Sequence, residues 1–552
     1  MTARRRSSVF LALASLVLGC LVVCARPAWG QPQVQVTAVA YEGMAVPGFA
    51  PGTEFFSFGG QFDIRPPVIN AQGHTAFLAK ITRPGIGGAA DGVWLADPNG
   101  NITNIALEGD QAVGAPEGVT YNGFSERLIL DQSGNLAFGS VLSNNDDALF
   151  ATDNNAVRLV VSESTELPNT NGNPVINNLV TNFGRAQQPD FVFNAGRLAV
   201  LINDVTHDDP DPNANPGDRE RLNGIWSERP TSASRELQVV ARDGIETIFT
   251  GLIGPPVING LGQVSLRSDI QEAFDEPRRG SIWTEAGGTG TLTKVVESGG
   301  TDAEGDVEFS GFGNPVLNTN GQNAFEATLS DPPLDANSAL FVQQPLQSGI
   351  VLNEGAGAPG VPGGGTFGDF SRTSGNLVVN QAGHLAFNTN ARREDQPSVN
   401  GIWARRGAGI EAIGVTGMPA PGTDGFFFVT SDFLPVMNGN SDVAFFAQVL
   451  DEEGNGIGDG IWAEQDGVLH RVIGTGDTIQ LPDGSEITLG IGDLDFIGGS
   501  GNQDGRPSGF SDNGEVVFRL FGSGGVLTAT VPEPGSLALL GLGGLLIAGR
   551  RR

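Results

Sequence analysis

A chain of 552 residues with 62 Asp and Glu against 31 Lys and Arg has a formal charge of −31, and such a surface disfavours nucleic acid, whose phosphates need clustered basic residues. Its two cysteines, Cys20 and Cys24, both fall in an apolar leader, so the rest of the chain has no disulfide framework and no thiolate chemistry and must be held by burial. The 81 glycines, among many Asn, Asp and Pro, predict short strands joined by turns and argue against helical architectures.

In chain order, Arg4, Arg5 and Arg6 precede an apolar run over 9–24 and a small-x-small exit at Ala28-Trp29-Gly30. This pattern predicts a secretory signal peptide over 1–30, with the mature chain starting at Gln31. Taking away the leader and residues 532–552 removes seven arginines and one glutamate, which leaves 24 basic against 61 acidic residues and a body near −37. That balance favours solubility and divalent cations.

The body is built on one recurring octapeptide. It reads NAQGHTAF from Asn70, DQSGNLAF from Asp131, FNAGRLAV from Phe193, NGLGQVSL from Asn259, NTNGQNAF from Asn318, NQAGHLAF from Asn380, NGNSDVAF from Asn438 and SDNGEVVF from Ser511. The fourth positions, Gly73, Gly134, Gly196, Gly262, Gly321, Gly383, Ser441 and Gly514, are separated by 61, 62, 66, 59, 62, 58 and 73 residues. A period near sixty marks a repeat architecture. The unit predicts a hairpin: its leading Asn accepts a backbone hydrogen bond in a type I turn, its Gly takes the left-handed conformation, and the alternating residues after it form the outgoing strand. An apolar run such as Pro67-Val68-Ile69 supplies the incoming strand.

About 23 residues after each turn comes a large aromatic on a β-type stretch, at Trp94, Phe150, Trp226, Trp283, Phe341, Trp403 and Trp462. One bulky ring per unit predicts a packing wedge between neighbouring units. A short strand ending in a turn follows, as at Leu107-Glu108-Gly109 or Asn353-Glu354-Gly355 to Pro359-Gly360. Eight units of about four strands, none able to bury its own faces, predict an all-β, propeller-like ring over 31–531; two smaller propellers or an open β-repeat array satisfy the same pattern.

The chain ends in Pro532-Glu533-Pro534, an apolar stretch over 535–549, and Arg550, Arg551 and Arg552. The stretch is shorter than the roughly 20 residues of a full span, and the arginines hold it on the cytoplasmic side, so a transient inner-membrane anchor is predicted. In this order and spacing the tail resembles the PEP-CTERM class of exported bacterial proteins. The resemblance implies recognition of Pro532, Glu533 and Pro534 by an exosortase-type enzyme and delivery of the body to the cell surface or extracellular matrix. The body, over residues 36–531, resembles tandem NxxGxxAF-repeat proteins, a resemblance that brings no catalytic residues with it.

Motifs for chemistry are sparse. The string GAGAPG at 355–360 lies in a repeat loop with no following helix, and His74, His207, His384 and His470 are scattered. No nucleophile elbow or zinc-binding HExxH stands in the sequence. Asp451, Asn455 and Asp459 place hard oxygen ligands on a glycine-flexed loop suited to calcium, and Asp208, Asp209, Asp211 and Asp218 do so less well. Two functions fit: a non-enzymatic surface or matrix protein whose loops bind polysaccharide or another envelope protein, or a propeller lyase or glycosidase acting on exopolysaccharide. Two buried carboxylates converging in one pocket would mark the enzyme.

Overall fold

The computed structural model describes residues 34–531 other than 60–65, 83–87, 166, 168–174, 179–190, 209–218, 231–234, 244–246, 253, 273–275, 286–289, 302–306, 331–336, 344–347, 371–376 and 522–523. The signal peptide, the Pro532-Glu533-Pro534 box with its tail, and Asp209, Asp211 and Asp218 of the second acidic loop lie outside the described residues.

Eight antiparallel sheets follow one another around a closed ring, forming an eight-bladed β-propeller. Blade 1 shows the plan. Its innermost strand comes in two pieces, Glu54–Ser57 and Val68–Ile69, and both pair with Thr75–Thr82, which is followed outward by Ala89–Ala96 and Ile102–Leu107. Blades 2 to 7 occupy 121–162, 175–242, 249–297, 309–353, 366–415 and 426–474. Blade 8 is completed by both ends of the body: Leu494–Asp495, Glu515–Leu520 and Gly525–Thr530 receive Gln35–Tyr41 as their outermost strand. The first strand of the body therefore closes the ring.

Among the described residues, eight hydrophobic clusters sit astride the eight junctions between blades. One of them joins Phe77 and Trp94 of blade 1 to Val517 and Val526 of blade 8, which excludes an open array. Each sheet is apolar on both faces and buries each against a neighbour. That explains why the strands read as near-continuous apolar runs where a one-sided sheet would alternate.

The octapeptide lies where the innermost strand turns into the second. All eight fourth positions have positive φ, from 70° at Gly196 to 89° at Gly73, with Ser441 at 77°. In seven units the residue at that position donates its N–H to the carbonyl of the leading residue, as Gly321 does to Asn318 at 3.0 Å. Unit three departs from the expected frame. Asn194 pairs directly with Arg197 around Ala195 and Gly196, a two-residue turn with both φ values positive, so the turn begins one residue later than the octapeptide alignment implies.

The repeated Phe and the repeated large aromatic prove to be cross-strand partners: Phe77 faces Trp94, Phe138 faces Phe150, Phe325 faces Phe341, Phe387 faces Trp403 and Phe445 faces Trp462. In blades 6 and 7 these rings stack, at 6.3 and 6.2 Å between centroids. Trp403 and Trp462 donate their indole N–H groups to Pro359 and Pro421, in the turns arriving from the preceding blade. The small residue ahead of each Trp has a physical reason. A Cβ at Gly401 would lie 2.7 Å from the Trp403 ring, because the indole folds back over its own strand.

Candidate binding cleft

The axis of the ring is filled. In blades 5 and 7 the two pieces of the innermost strand follow one another within a few residues, whereas in blade 8 the connection at 496–509 runs into the centre and bonds to the innermost strand or turn of seven blades. Ile69, Phe193 and Ile258 donate their N–H groups to Ser508, Gly505 and Asp504 at 2.8, 3.1 and 2.9 Å, and Thr319 donates its hydroxyl to the Gln503 side chain at 2.7 Å. Gln132 reaches the Asn502 carbonyl, Arg506 donates to the Leu377 carbonyl at 3.0 Å, and Gly499 N–H donates to the Pro435 carbonyl at 3.2 Å. Ser500, Gln503, Asp504 and Ser508 are buried there despite their polarity because each has such a partner. The longest repeat interval, 73 residues, contains this insertion together with the exposed hairpin of Thr478–Gln480 and Glu486–Thr488.

Outside the plug runs a second ring of polar contacts. The leading side chain of each turn is buried, and in most units it donates to the corresponding carbonyl of the next blade: Asn70 to Asp131 at 2.9 Å, Asn259 to Asn318 at 3.0 Å, Asn318 to Asn380 at 2.9 Å, Asn380 to Asn438 at 3.3 Å and Asn438 to Ser511 at 3.2 Å. Each Asn oxygen meanwhile accepts N–H groups within its own turn, as Asn318 does from Asn320 and Gln322. Asn70, Asn318 and Asn380 thus close their hairpins and also join blades, and the second of these roles had no signature in the local sequence.

The cleft next to the plug has a volume of about 240 Å³ and lies where blades 7, 8 and 1 meet. Phe433 and Phe446 form one wall edge to face at 4.9 Å, and Phe496, Ile497 and Leu434 continue the apolar lining. Asn388 holds the Phe433 loop by donating to the Thr430 and Phe433 carbonyls at 2.7 and 2.8 Å. The floor carries Asp495, whose carboxylate burial pushes up in pKa while Arg519, 2.7 Å away, acts to lower it. Arg519 is fully buried and also donates to the Phe58 carbonyl at 2.6 Å, so this pair ties blade 8 to blade 1. Asp432 stands exposed on the rim. Among the described residues the lining includes no Ser, His or Cys. It offers aromatic faces and one exposed carboxylate.

Of the calcium residues, Asp451 and Asn455 meet in one turn, while Asp459 has other partners. Asp451 is engaged with its own turn, accepting from Asn455 N–H at 2.7 Å and from the Asn455 amide, which holds its carboxyl below the ordinary range. Asp459 is buried in the following strand and accepts from Thr475 and from Gly492 N–H at 2.8 and 2.7 Å. Among the described residues no three His, Cys, Asp or Glu side chains gather as a metal site. The spacing suited a cation, but the strand beginning at Gly456 carries Asp459 away from Asp451. The wedge residues Trp94, Trp226, Trp403 and Trp462 are fully buried between blades, Trp226 opposite Val200, while Trp283, opposite Leu266, is half-buried.

A family model matches residues 25–410 and 335–538, and its description is a family of unknown function, DUF7453. The chain belongs to this DUF7453 family. A second model, the PEP-CTERM protein-sorting motif, matches residues 530–552, so this DUF7453 member is an exported protein with a C-terminal sorting signal of the exosortase type. No curated protein matches it. Among solved structures, the chain is similar to the β-propeller domain of the Trilobed protease from Pyrococcus furiosus, with 9% identity, 73% of this chain and 93% of that one covered, and a TM-score of 0.35. It is similar to the Pyrococcus horikoshii acylaminoacyl peptidase at 9% identity and a TM-score of 0.34, over 73% of this chain and about half, 51%, of that one. The GH93 alpha-L-arabinofuranosidase of Fusarium graminearum is 10% identical over 80% of this chain and 98% of its own, with a TM-score of 0.27.

Proposed function

We propose that the protein is a non-enzymatic component of the cell surface or extracellular matrix that binds polysaccharide through the cleft between blades 7 and 8. The observation behind this reading is the cleft's composition. Aromatic faces suit the apolar faces of sugar rings, while glycosidic cleavage uses two carboxylates in defined roles. Of the two acids among the described residues of the lining, Asp495 is committed to Arg519 and Asp432 is open to solvent. The plug at 496–509 also fills the axis in which an enzyme of this shape would gather acids around a substrate. Export through the sorting signal supports a ligand found outside the cell, as a polysaccharide is.

The test is a glycan array with the mature protein, accompanied by incubation of each bound polymer with excess protein. Binding without release of reducing ends or unsaturated products is expected. Phe433→Ala should weaken binding about tenfold, the loss of one good aromatic contact with its desolvated area. Product formation that persists through purification would replace this reading by the lyase or glycosidase alternative.

A further inference from the structure

The turn of blade 3 is shorter than its counterparts, and guanidinium groups collect on it. Arg158, from the outer strand of blade 2, and Arg235, from the outer strand of blade 3, both donate to the Gly196 carbonyl, the former at 3.2 Å. Arg197, the next residue, extends to the turn of blade 4 and makes a long contact of 3.4 Å with the Leu261 carbonyl. The acids nearby are engaged with other partners. Buried Glu228 grips Arg158 and accepts from Leu198 N–H at 2.9 Å, and buried Glu285 pairs with Arg229. Asp153 lies 3.5 Å from Arg235, between two solvent-accessible side chains. Arg197 has no ion pair among the described residues.

This arrangement runs against the composition of the chain. A body with 61 acids for 24 bases has carboxylates to spare for a structural arginine, yet Arg197 sits beside like charges. Burial and then Arg235 push its guanidinium below the usual range, and Arg229 adds to this, while Glu285 and Glu228 pull the other way. A half-buried cation with two arginines near it, whose neighbouring carboxylates are already engaged and which makes no ion pair of its own among the described residues, is an electrostatic cost that folding alone does not call for, and such costs mark sites that receive an oppositely charged ligand.

We propose that Arg197, with Arg235 beside it, binds the carboxylates of a uronate-bearing polysaccharide at the turns of blades 3 and 4. The planar guanidinium fork matches a carboxylate with two parallel hydrogen bonds, and a surface that is otherwise strongly negative confines an anionic polymer to such a patch. The arginines themselves specify an oxyanion. That the oxyanion belongs to a polysaccharide rests on the function proposed above.

Calorimetric titration of the mature protein with polygalacturonate, with its fully methyl-esterified form and with inorganic phosphate separates these elements. Polygalacturonate should bind, weaken as salt rises, and lose about tenfold in affinity in Arg197→Gln, the range for one charge-assisted contact. Arg235→Gln should act in the same direction, and Arg197→Lys should fall between, because it keeps the charge and loses the fork. The methyl ester and phosphate should bind at least tenfold more weakly than the acid polymer. Equal affinity for polygalacturonate in parent, Arg197→Gln and Arg235→Gln overturns the arginine site; if Phe433→Ala alone reduces it, polysaccharide binding at the cleft survives that failure. Phosphate binding as tight as the polymer's overturns the uronate assignment. No binding of any glycan overturns both proposals.

Discussion

Asn318 does two things with one amide: its oxygen caps two N–H groups of its own turn, and its nitrogen donates to the Asn380 carbonyl in the next blade. A carboxylate in its place would keep the first role and invert the second, bringing a negative oxygen against a carbonyl. Asp131 shows the condition under which a carboxylate works. The shortened turn of blade 3 presents the Gly196 N–H where other blades present a carbonyl, and Asp131 accepts it at 2.7 Å. Asn318→Asp should therefore destabilise the protein by about 2–3 kcal/mol, one lost buried bond together with an acceptor left facing an acceptor, read as a shift in the denaturation midpoint at constant m-value. Asp131→Asn should also cost about 1–2 kcal/mol, since a charge-assisted bond to Gly196 is weakened. If Asn318→Asp is neutral, the ring of side-chain bonds between blades is incidental. The turn itself was legible because Asn and Gly declare their backbone demands locally. The bond to the next blade was not, since nothing local distinguishes an Asn that closes its own turn from one that also reaches 62 residues along the chain.

The order of the strands was readable from the recurrence of turn, Phe and Trp, but the pairing of that Phe with that Trp across neighbouring strands depends on register, which the spacing alone leaves open. Register alone does not set how deeply each ring is buried, since Trp226 is fully buried opposite Val200. In blade 4 the Phe is replaced by Leu266, and Trp283 is half-buried where Trp403 is fully enclosed by Phe367 and Phe387. The two tryptophans should then respond differently to truncation. Trp403→Ala should cost about 3–5 kcal/mol, the range for emptying a large core site, and Trp283→Ala distinctly less, because its ring keeps part of its hydration and an exchangeable bond to the Ser281 hydroxyl. Thermal unfolding of both variants followed by tryptophan fluorescence and calorimetry measures the difference. Equal losses would mean that burial between blades does not set the contribution of the wedge.

At the scale of the whole molecule, closure has two devices: the strand Gln35–Tyr41 completing blade 8, and the plug at the axis. Repeat counting yields eight units but leaves the first open, since two smaller propellers or an open array satisfy the same count. The second stayed hidden because its contacts join residues far apart, as Gln503 and Thr319 are 184 positions apart, and because its sequence, rich in Gly and otherwise mostly polar, reads as an exposed loop. Its glycines are the trace of what it does. Gly505 has φ +77°, and a Cβ there would lie 2.8 Å from Ile258 Cγ2 and 3.0 Å from Phe193 N, in the gap where blades 3 and 4 meet the axis. Gly100 has φ +82° with nothing within 4 Å, so the two positions share the backbone demand and differ in surroundings. Gly100→Ala should cost the left-handed conformation alone, about 1–2 kcal/mol. Gly505→Ala should add roughly 1–3 kcal/mol of overpacking. Because the plug bonds to the innermost strand or turn of seven blades, that loss should lower the melting temperature of the whole ring in one calorimetric transition, with no early step from a loosened loop. If Gly505→Ala melts with Gly100→Ala, or if the plug alone becomes cleavable by protease while the ring keeps its melting temperature, the plug fills the axis without helping to hold the blades together.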